Sequence, residues 1–404
     1  MKILQINSVC GIRSTGRICA DIADILIANG DDCRVAYGRE SVPESYNDIA
    51  VRIGNDADVN CHAFTSRIFD NTGHGSKKAT RDFLKWVDEY APDVIHLHNL
   101  HGYYINLELL FQYLKKVQKP VVWTLHDCWA FTGHCAHFDL IGCNRWENGG
   151  CYDCPQKKRY PTSIFFDRSK KNFVEKKQLF SGINDMTIVT PSQWLADLVK
   201  RSFLGCYPIQ VIHNGIDLNV FKPAYKGDFR ERYGLQNKKI LLGVASAWSD
   251  SKGLDVFIEL SKRLSDQYKI VLIGTNDSID SKLPDNILSI HRTNDRFMLT
   301  QIYTDADVFV NPTRAEVFGL VNIEALACGI PGVIFRSGGS PECYDNTCGV
   351  VVEKNDIDAM EREIIRICNS NPFDLVSCMQ FARKFDMYEK YQEYLNLYNL
   401  KSSD

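Results

Sequence analysis

Residues 311–331, NPTRAEVFGLVNIEALACGIP, constrain the fold of this chain more than any other stretch. The DVFV just before them is β-branched and aromatic, which predicts a short buried strand. A helix is predicted from about Phe318 to Cys328, because Gly329 ends it and Pro331 prevents it from resuming. The stretch therefore predicts a strand, a loop and a helix in immediate succession.

Two glutamates make this unit a candidate binding site. Within residues 320–328 only Asn322 and Glu324 are polar, and two positions along a helix differ by about 200° of rotation. Both cannot face solvent, so Glu324 is expected against or inside the protein, where a carboxylate needs a partner. Glu316 precedes the helix, and the free N–H groups of residues 318–321 form an anion site. The set suits a sugar nucleotide, although an ordinary strand–helix unit with two solvated glutamates explains the spacing equally well.

Length and composition limit the class of protein. A chain of 404 residues predicts two domains, and 45% hydrophobic with 24% charged residues is typical of a soluble globular protein. A net charge of -3 gives no reason to expect nucleic acid as a partner. The sequence contains no run of 18 apolar residues, so no membrane-spanning helix is expected. MKILQINSVCGIR has no cleavable apolar region behind a basic start, so it predicts a short strand rather than a signal peptide. Fifteen cysteines without an export signal favour a reducing cytoplasm.

The N-terminal segment repeats the strand–loop–helix order. KILQINS predicts a strand, CGIRSTGR a glycine loop, and an apolar helix follows that ends at Gly30. Such a loop is the usual place for a phosphate at a helix N-terminus. The spacing from Gly11 to Gly16 differs from the dinucleotide pattern G-x-G-x-x-G, so NAD binding is disfavoured. A plain strand-to-helix turn is the alternative.

Short apolar strands recur along the rest of the chain. The first half carries CRVAYG, DVIHLHN, PVVWTLHD, TIVTPS and QVIHNGID, and the second carries KKILLGVAS, KIVLIG, ILSIH, DVFV, GVIF and GVVV. Strands rich in Val and Ile that alternate with helices indicate a parallel, doubly wound sheet. Ligands bind beyond the carboxyl ends of such strands, where His98 and His126 stand. His96 is assigned to the core, and for His98 a core role and a functional role remain open.

The spacing E-x7-E of Glu316 and Glu324, followed by EALACGIP and SGGSPE, resembles the signature of retaining glycosyltransferase family 4. The resemblance covers nearly the whole chain and is closest to bacterial exopolysaccharide and colanic-acid-type transferases. It implies the α/β GT-B architecture, in which two Rossmann-like doubly wound parallel-sheet domains face a central cleft. The implied domains are an acceptor-side domain, 1–218, and a nucleotide-sugar domain, 219–384, with a C-terminal helix in 385–404 packing back on the first.

The resemblance also implies site residues and a reaction. The implied catalytic residues are His126, Glu316 and Lys252. The implied donor-binding residues are Gly16, Arg17, Lys252, Phe318, Gly319, Leu320, Glu324 and Gly339. The reaction would move a hexosyl group from a nucleotide diphosphate sugar to a glycan or polyprenyl-diphosphate-linked acceptor, with retention and without a catalytic cofactor, in bacterial surface polysaccharide biosynthesis.

One position departs from the family pattern. The family usually carries an arginine five residues before the lysine, and this chain has Ala247 there. Arg314 or Arg292 is a hypothetical substitute for the missing cation. The departure keeps open a catalytically weak nucleotide-sugar-binding protein, whereas another GT-B enzyme such as an epimerase is disfavoured because those enzymes lack the E-x7-E segment.

A cysteine-rich insertion, residues 128–160, stands apart from the rest of the chain. Its cysteines Cys135, Cys143, Cys151 and Cys154 have the spacing C-x7-C-x7-C-x2-C. Four thiolates would form a closed structural zinc site rather than a catalytic one. The first spacings match no common zinc finger, so free thiols or a redox pair are the alternatives.

Residues 157–177 are strongly basic. Family members often work on lipid-linked acceptors, and a basic helix with Phe165, Phe166 and Phe173 is a candidate for peripheral contact with anionic headgroups at the inner face of the cytoplasmic membrane. An ordinary solvated face is the alternative and explains the charge more simply.

Overall fold

The protein divides into two compact units. In the computed structural model, residues 1–224, 228–291, 293 and 296–402 are described. The first unit is Met1–His213 with Lys390–Asp404, and the second is Asn214–Glu389. The division lies a few residues before the boundary that the sequence predicts between residues 218 and 219.

A fully parallel sheet forms the centre of the first unit. Among its described residues the strand order is β3-β2-β1-β4-β5-β6-β7. The strands are β1 (Lys2–Ile6), β2 (Asp32–Tyr37), β3 (Ala50–Arg52), β4 (Val94–Leu97), β5 (Val121–Thr124), β6 (Met186–Thr190) and β7 (Ile209–Val211). The helices are α1 (Arg13–Ala28), α2 (Asp56–Phe69), α3 (Lys77–Tyr90), α4 (Leu107–Val117), α5 (Ser169–Phe180) and α6 (Gln193–Arg201). Strands β4, β5 and β6 are buried along their whole length, as expected where helices cover both faces of a parallel sheet.

The second unit repeats this plan. Its described residues form a parallel sheet with the order β10-β9-β8-β11-β12-β13. The strands are β8 (Lys239–Val244), β9 (Tyr268–Ile273), β10 (Ile287–Ile290), β11 (Val308–Asn311), β12 (Gly332–Phe335) and β13 (Gly349–Val352). The helices are α7 (Phe229–Arg232), α8 (Leu254–Arg263), α9 (Asp277–Asp280), α10 (Arg296–Asp305), α11 (Leu320–Ala327), α12 (Ile357–Ser370) and α13 (Leu375–Ala382). The predicted pair of doubly wound parallel sheets is confirmed.

The strand orders locate the site in each unit. In both sheets the order of the strands reverses near the centre, between β1 and β4 and between β8 and β11, while the strands themselves stay parallel. Loops leave this reversal point on opposite sides and open a crevice at the carboxyl ends of the strands, where ligands bind in such folds. His98 and His126 follow β4 and β5, and the loop with Glu316 follows β11.

The C-terminal helix α14 (Met387–Ser402) returns to the first sheet. Its tyrosines Tyr394 and Tyr398 are buried, and the Tyr398 hydroxyl lies 2.7 Å from Nδ1 of His96. Nε2 of His96 lies 2.8 Å from the Thr124 hydroxyl. His96 is therefore the core residue that the sequence predicts. Across the described helices, none combines the length and apolarity needed to span a bilayer.

Candidate active site

Three loops of the second unit meet at the carboxyl ends of β8, β11 and β12. Lys252 closes a short helical turn before α8, and its Nζ lies 2.7 Å from Oε2 of Glu316. The backbone N–H of Arg314 donates to the Ser251 carbonyl at 2.8 Å, and that of Gly339 donates to the Glu316 carbonyl at 3.0 Å. Because these bonds involve backbone, the cation and the carboxylate are positioned by the loops themselves.

Glycine is required where the loops approach most closely. Gly338 has a φ of +55°, and a Cβ atom there would lie 1.7 Å from the Glu316 carbonyl oxygen. A Cβ atom on Gly253, whose φ is +74°, would lie 2.5 Å from the Pro312 carbonyl oxygen. Neither position accepts a side chain without moving backbone. Gly339, a predicted donor-binding residue, has a φ of -86° and contributes its N–H instead.

Helix α11 begins with uncapped backbone amides. Its N-cap residue Gly319 has a φ of +96°, and no side chain caps the helix start, at Leu320. Phe318 is buried and its ring lies 5.4 Å from that of Phe385, centroid to centroid, so Phe318 contributes backbone rather than ring to this loop. The predicted start at Phe318 is two residues early. The uncapped amides of Gly319 and Leu320 remain the predicted anion site.

The two polar residues of α11 point to different partners. Asn322 is fully buried, and its side-chain oxygen accepts a 2.8 Å hydrogen bond from Asn311. Glu324 is half-buried, and its Oε2 accepts a 3.1 Å hydrogen bond from the Tyr303 hydroxyl. Desolvation raises the pKa of Glu324 to about 7, against the opposing hydrogen bond from Tyr303. The carboxylate is held inside the protein as predicted, and it can accept further hydrogen bonds.

Of the two hypothetical substitutes for the missing arginine, only Arg314 lies within the described residues. The Arg314 guanidinium forms a bidentate ion pair with Asp255, at 2.7 and 2.8 Å, and its Nε donates to Asn355 at 2.6 Å. These contacts occupy Arg314 in a structural network, so the geometry does not favour it as the substitute. Arg292 lies outside the described residues. Ala247 is exposed, beside the buried Trp248.

In the first unit, His126 is held by a chain of buried polar groups. Its Nε2 lies 3.0 Å from Nδ1 of His98, whose Nε2 lies 3.0 Å from Oε1 of Gln5. The Gln5 amide nitrogen donates to the Cys19 carbonyl at 2.8 Å, which leaves Oε1 as an acceptor. Neutral His98 therefore carries its proton on Nε2, and His126 donates from Nε2 to His98. Burial lowers the pKa of His126 to about 4, so its imidazole is neutral near pH 7.

A second polar group lies beside this chain. His101 Nε2 lies 2.7 Å from the Asp127 carboxylate, and His101 Nδ1 lies 3.0 Å from the Tyr160 hydroxyl. His98, His101, His126 and Asp127 line one small pocket. No motif in the sequence identifies Gln5, His101, Asp127 or Tyr160 as a site residue. A glutamine inside the apolar strand KILQI is a signal for a buried hydrogen bond, whereas nothing in the sequence places Tyr160 beside His101.

Gly16 and Arg17 do not lie in a loop. Helix α1 begins at Arg13, so both are helical, and the predicted glycine loop is wrong in this respect. Gly16 packs on Val9, where a Cβ atom would lie 2.9 Å from the Val9 side chain. Arg17 is paired with Asp21 at 3.3 Å, one turn along the helix. The close approach of Gly16 thus has a packing reason, and the donor role of both residues stays a prediction.

Among the described residues, no three of the insertion's four cysteine sulfur atoms lie within 4.8 Å of one another. The Cys135 thiol hydrogen-bonds to Cys154, which lowers the pKa of Cys154 to about 7, and the Cys151 sulfur accepts a bond from the Gly133 N–H at 3.1 Å. In the part of the chain that is described, the three-residue group close enough to hold an ion is the surface set Asp277, Asp280 and His291, without any cysteine. A zinc site of Cys135, Cys143, Cys151 and Cys154 therefore stays a prediction, and no preformed cluster supports it.

Comparison with known families decides the relationship of this chain. The family described as Glycosyltransferase Family 4 matches residues 15–220, more than half of the chain, and Glycosyl transferases group 1 matches residues 226–385. This chain belongs to glycosyltransferase family 4. The predicted family is confirmed.

Individual relatives of this family 4 protein agree with that assignment. A putative colanic acid biosynthesis glycosyl transferase, WcaC of Escherichia coli (strain K12), is 29% identical over 275 residues, which is 66% of this chain and 65% of the relative. The match thus spans less than two thirds of that relative's length. Sucrose-phosphate synthase from Thermosynechococcus elongatus has a TM-score of 0.71 at 16% identity, covering 99% of this chain and 98% of the synthase. HepE from Anabaena, in complex with UDP, has a TM-score of 0.69 at 15% identity, covering 98% and 99%. The fold is GT-B, as predicted.

Proposed function

We propose that this protein is a retaining hexosyltransferase that moves a sugar from a nucleotide diphosphate donor to a hydroxyl of a glycan or lipid-linked acceptor. The observation that carries the proposal is the Lys252–Glu316 pair, 2.7 Å apart, beside the uncapped start of α11. A cation, backbone amides and the carboxylate of Glu324 together match a nucleotide sugar: positive groups for the diphosphate and an acceptor of hydrogen bonds for the ribose.

In the proposed reaction, the bond between the anomeric carbon and the β-phosphate oxygen breaks. Negative charge develops on the leaving diphosphate, where Lys252 and the amides of Gly319 and Leu320 stabilise it. One well-placed donor of this kind is worth about 3 kcal/mol in the transition state. The acceptor oxygen bonds to the anomeric carbon on the same face, and the β-phosphate oxygen takes its proton. Because Lys252 and the helix start supply positive charge, the mechanism needs no bivalent cation.

His126 would orient a hydroxyl of the transferred sugar. His126 is neutral near pH 7 because burial lowers its pKa to about 4, so it acts through hydrogen bonds rather than as a charge. Its Nε2 proton is directed to His98, which leaves Nδ1 to accept a hydrogen bond from a sugar hydroxyl.

The named relatives support a more specific biological role and donor for this protein. WcaC is named for colanic acid biosynthesis, and HepE structures contain UDP and UDP-glucose. We therefore place this protein in bacterial surface polysaccharide biosynthesis, with a UDP-sugar as the first donor to test. A polyprenyl-diphosphate-linked acceptor would bring the protein to the inner face of the cytoplasmic membrane as a peripheral protein.

A second candidate is a catalytically weak nucleotide-sugar-binding protein. Ala247 favours it, because the family usually has a cation at that position and the Arg314 side chain is committed to Asp255. The two candidates differ in the fate of the donor, since a transferase releases nucleotide and a sensor releases the donor intact.

The test is nucleotide release from UDP-, GDP-, ADP- and dTDP-linked sugars, in water and with octyl glycosides as probe acceptors. The proposal expects slow release in water with one nucleotide, faster release with a productive glycoside, and loss of both in Lys252→Ala. NMR spectra recorded early in the reaction should show that the product keeps the anomeric configuration of the donor sugar. Binding of a donor without any cleavage would favour the second candidate, and inversion would contradict the retaining mechanism.

A further inference from the structure

A cluster of large apolar side chains is exposed where α2 ends. Phe64 and Phe69 lie on α2 and are exposed, Phe64 by 65%. Ile164, Phe165 and Phe166 follow in the irregular segment before α5 and are also exposed, Phe165 by 67%. Exposed apolar residues are ordinary when scattered, but a contiguous group marks an interaction surface.

Backbone and ring contacts join the two segments into one surface. The N–H of Ile164 donates to the Arg67 carbonyl at 2.6 Å, and the N–H of Phe166 donates to the Ile68 carbonyl at 3.3 Å. The rings of Phe69 and Phe166 stack with their centroids 5.7 Å apart. The aromatic residues therefore project from a fixed backbone. Phe64 lies one helical turn before Ile68 on the same face of α2. We call Phe64, Phe69, Ile164, Phe165 and Phe166 the aromatic surface.

Positive charge is concentrated in the chain segment that contributes Ile164, Phe165 and Phe166 to this surface. Residues 157–177 contain eight Lys or Arg and two acidic residues, a net charge of +6 in a chain whose net charge is -3. The side chains of Arg67, Lys158, Arg159 and Lys170 are exposed, and within the described residues they form no ion pair at 4 Å or less. The acidic residues are engaged: Asp167 accepts from Ser169 and from the Cys154 N–H, and Glu175 is paired with Arg168.

Phe173 is not part of the aromatic surface, contrary to the expectation from sequence. Its ring packs edge-on against that of Phe203, 5.5 Å away, and lies against the backbone of Gly150. The exposed apolar side chains thus come from the irregular segment and from α2, and helix α5 contributes the exposed Lys170.

We infer that the aromatic surface inserts into the headgroup region of an anionic lipid bilayer. Apolar rings enter the boundary between headgroups and acyl chains, while the lysines and arginines around them meet anionic headgroups. The positive charge selects this partner, because an apolar surface for a second copy of the chain would not need unpaired cations at its rim. The inference goes beyond the proposed transfer reaction and does not depend on it.

The test is sedimentation of the full chain with vesicles, without any donor. Wild type should bind phosphatidylcholine vesicles containing phosphatidylglycerol at low salt, bind pure phosphatidylcholine weakly, and dissociate at high salt. The double variant Phe64→Ser and Phe165→Ser should bind these vesicles with an affinity at least about tenfold lower than that of wild type. Its control is Val376→Ser with Leu400→Ser, since both residues are exposed, by 57% and 70%, and lie elsewhere.

A charge variant tests the same surface without touching apolar residues. Lys158→Ala, Arg159→Ala and Lys170→Ala together should remove the preference for anionic vesicles. Lys116→Ala, Lys119→Ala and Lys282→Ala change the net charge equally at exposed sites elsewhere and should retain it.

Three results would overturn the inference. One is wild type that does not sediment with anionic vesicles. Another is unchanged binding in both the aromatic and the charge variants. The third is lipid-free self-association that the Phe64→Ser and Phe165→Ser variant abolishes, which would assign the surface to a second copy of the chain. Failure here leaves nucleotide release, and so the proposed transfer reaction, unaffected.

Discussion

The Tyr303 hydroxyl donates a 3.1 Å hydrogen bond to Oε2 of Glu324, and within the described residues no cation lies in ion-pair contact with this carboxylate. The carboxyl is thus half-buried with one neutral donor, which explains why desolvation raises its pKa from the ordinary 4.5 to about 7. A group with so raised a pKa is suited to a ligand that brings hydrogen-bond donors of its own, as ribose does.

Glu324→Gln should stabilise the free protein at high pH. The folded state holds the proton more tightly than the unfolded chain, so this group's contribution to stability is full below pH 4.5 and is lost as pH rises to about 7. The variant should match wild type near pH 4.5 and exceed its free energy of unfolding by roughly 2 kcal/mol at pH 8. Denaturant titration of both proteins at both pH values measures this difference. Equal free energies of unfolding for the variant and wild type at both pH values would contradict the raised pKa.

Lys252→Met should remove donor chemistry while leaving the fold intact. The Lys252–Glu316 pair is half-exposed, so its loss should change the free energy of unfolding by less than about 1 kcal/mol. The rate of nucleotide release should fall by about 100-fold or more, because the cation at the diphosphate is gone. Lys262→Met, in an exposed pair with Glu259, is the control and should keep wild-type release. A variant at Lys252 with wild-type release would remove this lysine from the mechanism.

Gly338→Ala should distort the Glu316 loop. The new Cβ atom would lie 1.7 Å from the Glu316 carbonyl oxygen, so backbone must move, and we expect a loss of about 3 kcal/mol or more. Gly234→Ala is the matched control, since Gly234 has a φ of +66° and open space around it; its loss should stay near 1 kcal/mol. Equal losses in the two variants would mean that left-handed backbone alone, rather than the contact with Glu316, sets the requirement for glycine.

His98 should fix the tautomer of His126. The chain from Gln5 predicts that both imidazoles are neutral and protonated on Nε2. Nitrogen-15 NMR should show these tautomers, with His126 remaining neutral to about pH 5 because burial lowers its pKa to about 4. In His98→Phe the tautomer of His126 should become mixed. Protonation of His126 near pH 6.5 in wild type would contradict this arrangement.

Much of the fold was predictable because local signals agreed with one another. Val- and Ile-rich runs separated by helices specify parallel sheets. All eleven of the predicted runs, together with KILQINS, contain strands in the structure. The exception is β3 (Ala50–Arg52), which is three residues long at the sheet edge and has too few positions to show a period.

The site was predictable only where neighbours in sequence form it. The burial of Glu324 followed from its spacing to Asn322, whereas its partner Tyr303 lies on another helix. Gln5 and His98 are 93 positions apart, and only the pairing of β1 with β4 brings them together. The predicted loop at Gly16 is wrong because glycine is typical of turns, whereas here its missing side chain lets α1 pack closely on Val9.

The proposed nucleotide-sugar site at Glu324 is tested most directly by thermal unfolding. The unfolding of wild type and of Glu324→Ala is measured in the presence of UDP-, GDP-, ADP- and dTDP-sugars. A ligand that binds only the folded state stabilises it by RT ln(1 + [L]/Kd), about 2.7 kcal/mol at 100 times Kd. We expect a shift with one nucleotide class in wild type and its loss in the variant. No shift with any nucleotide sugar, or the same shift in both proteins, would contradict a donor site built on Glu324.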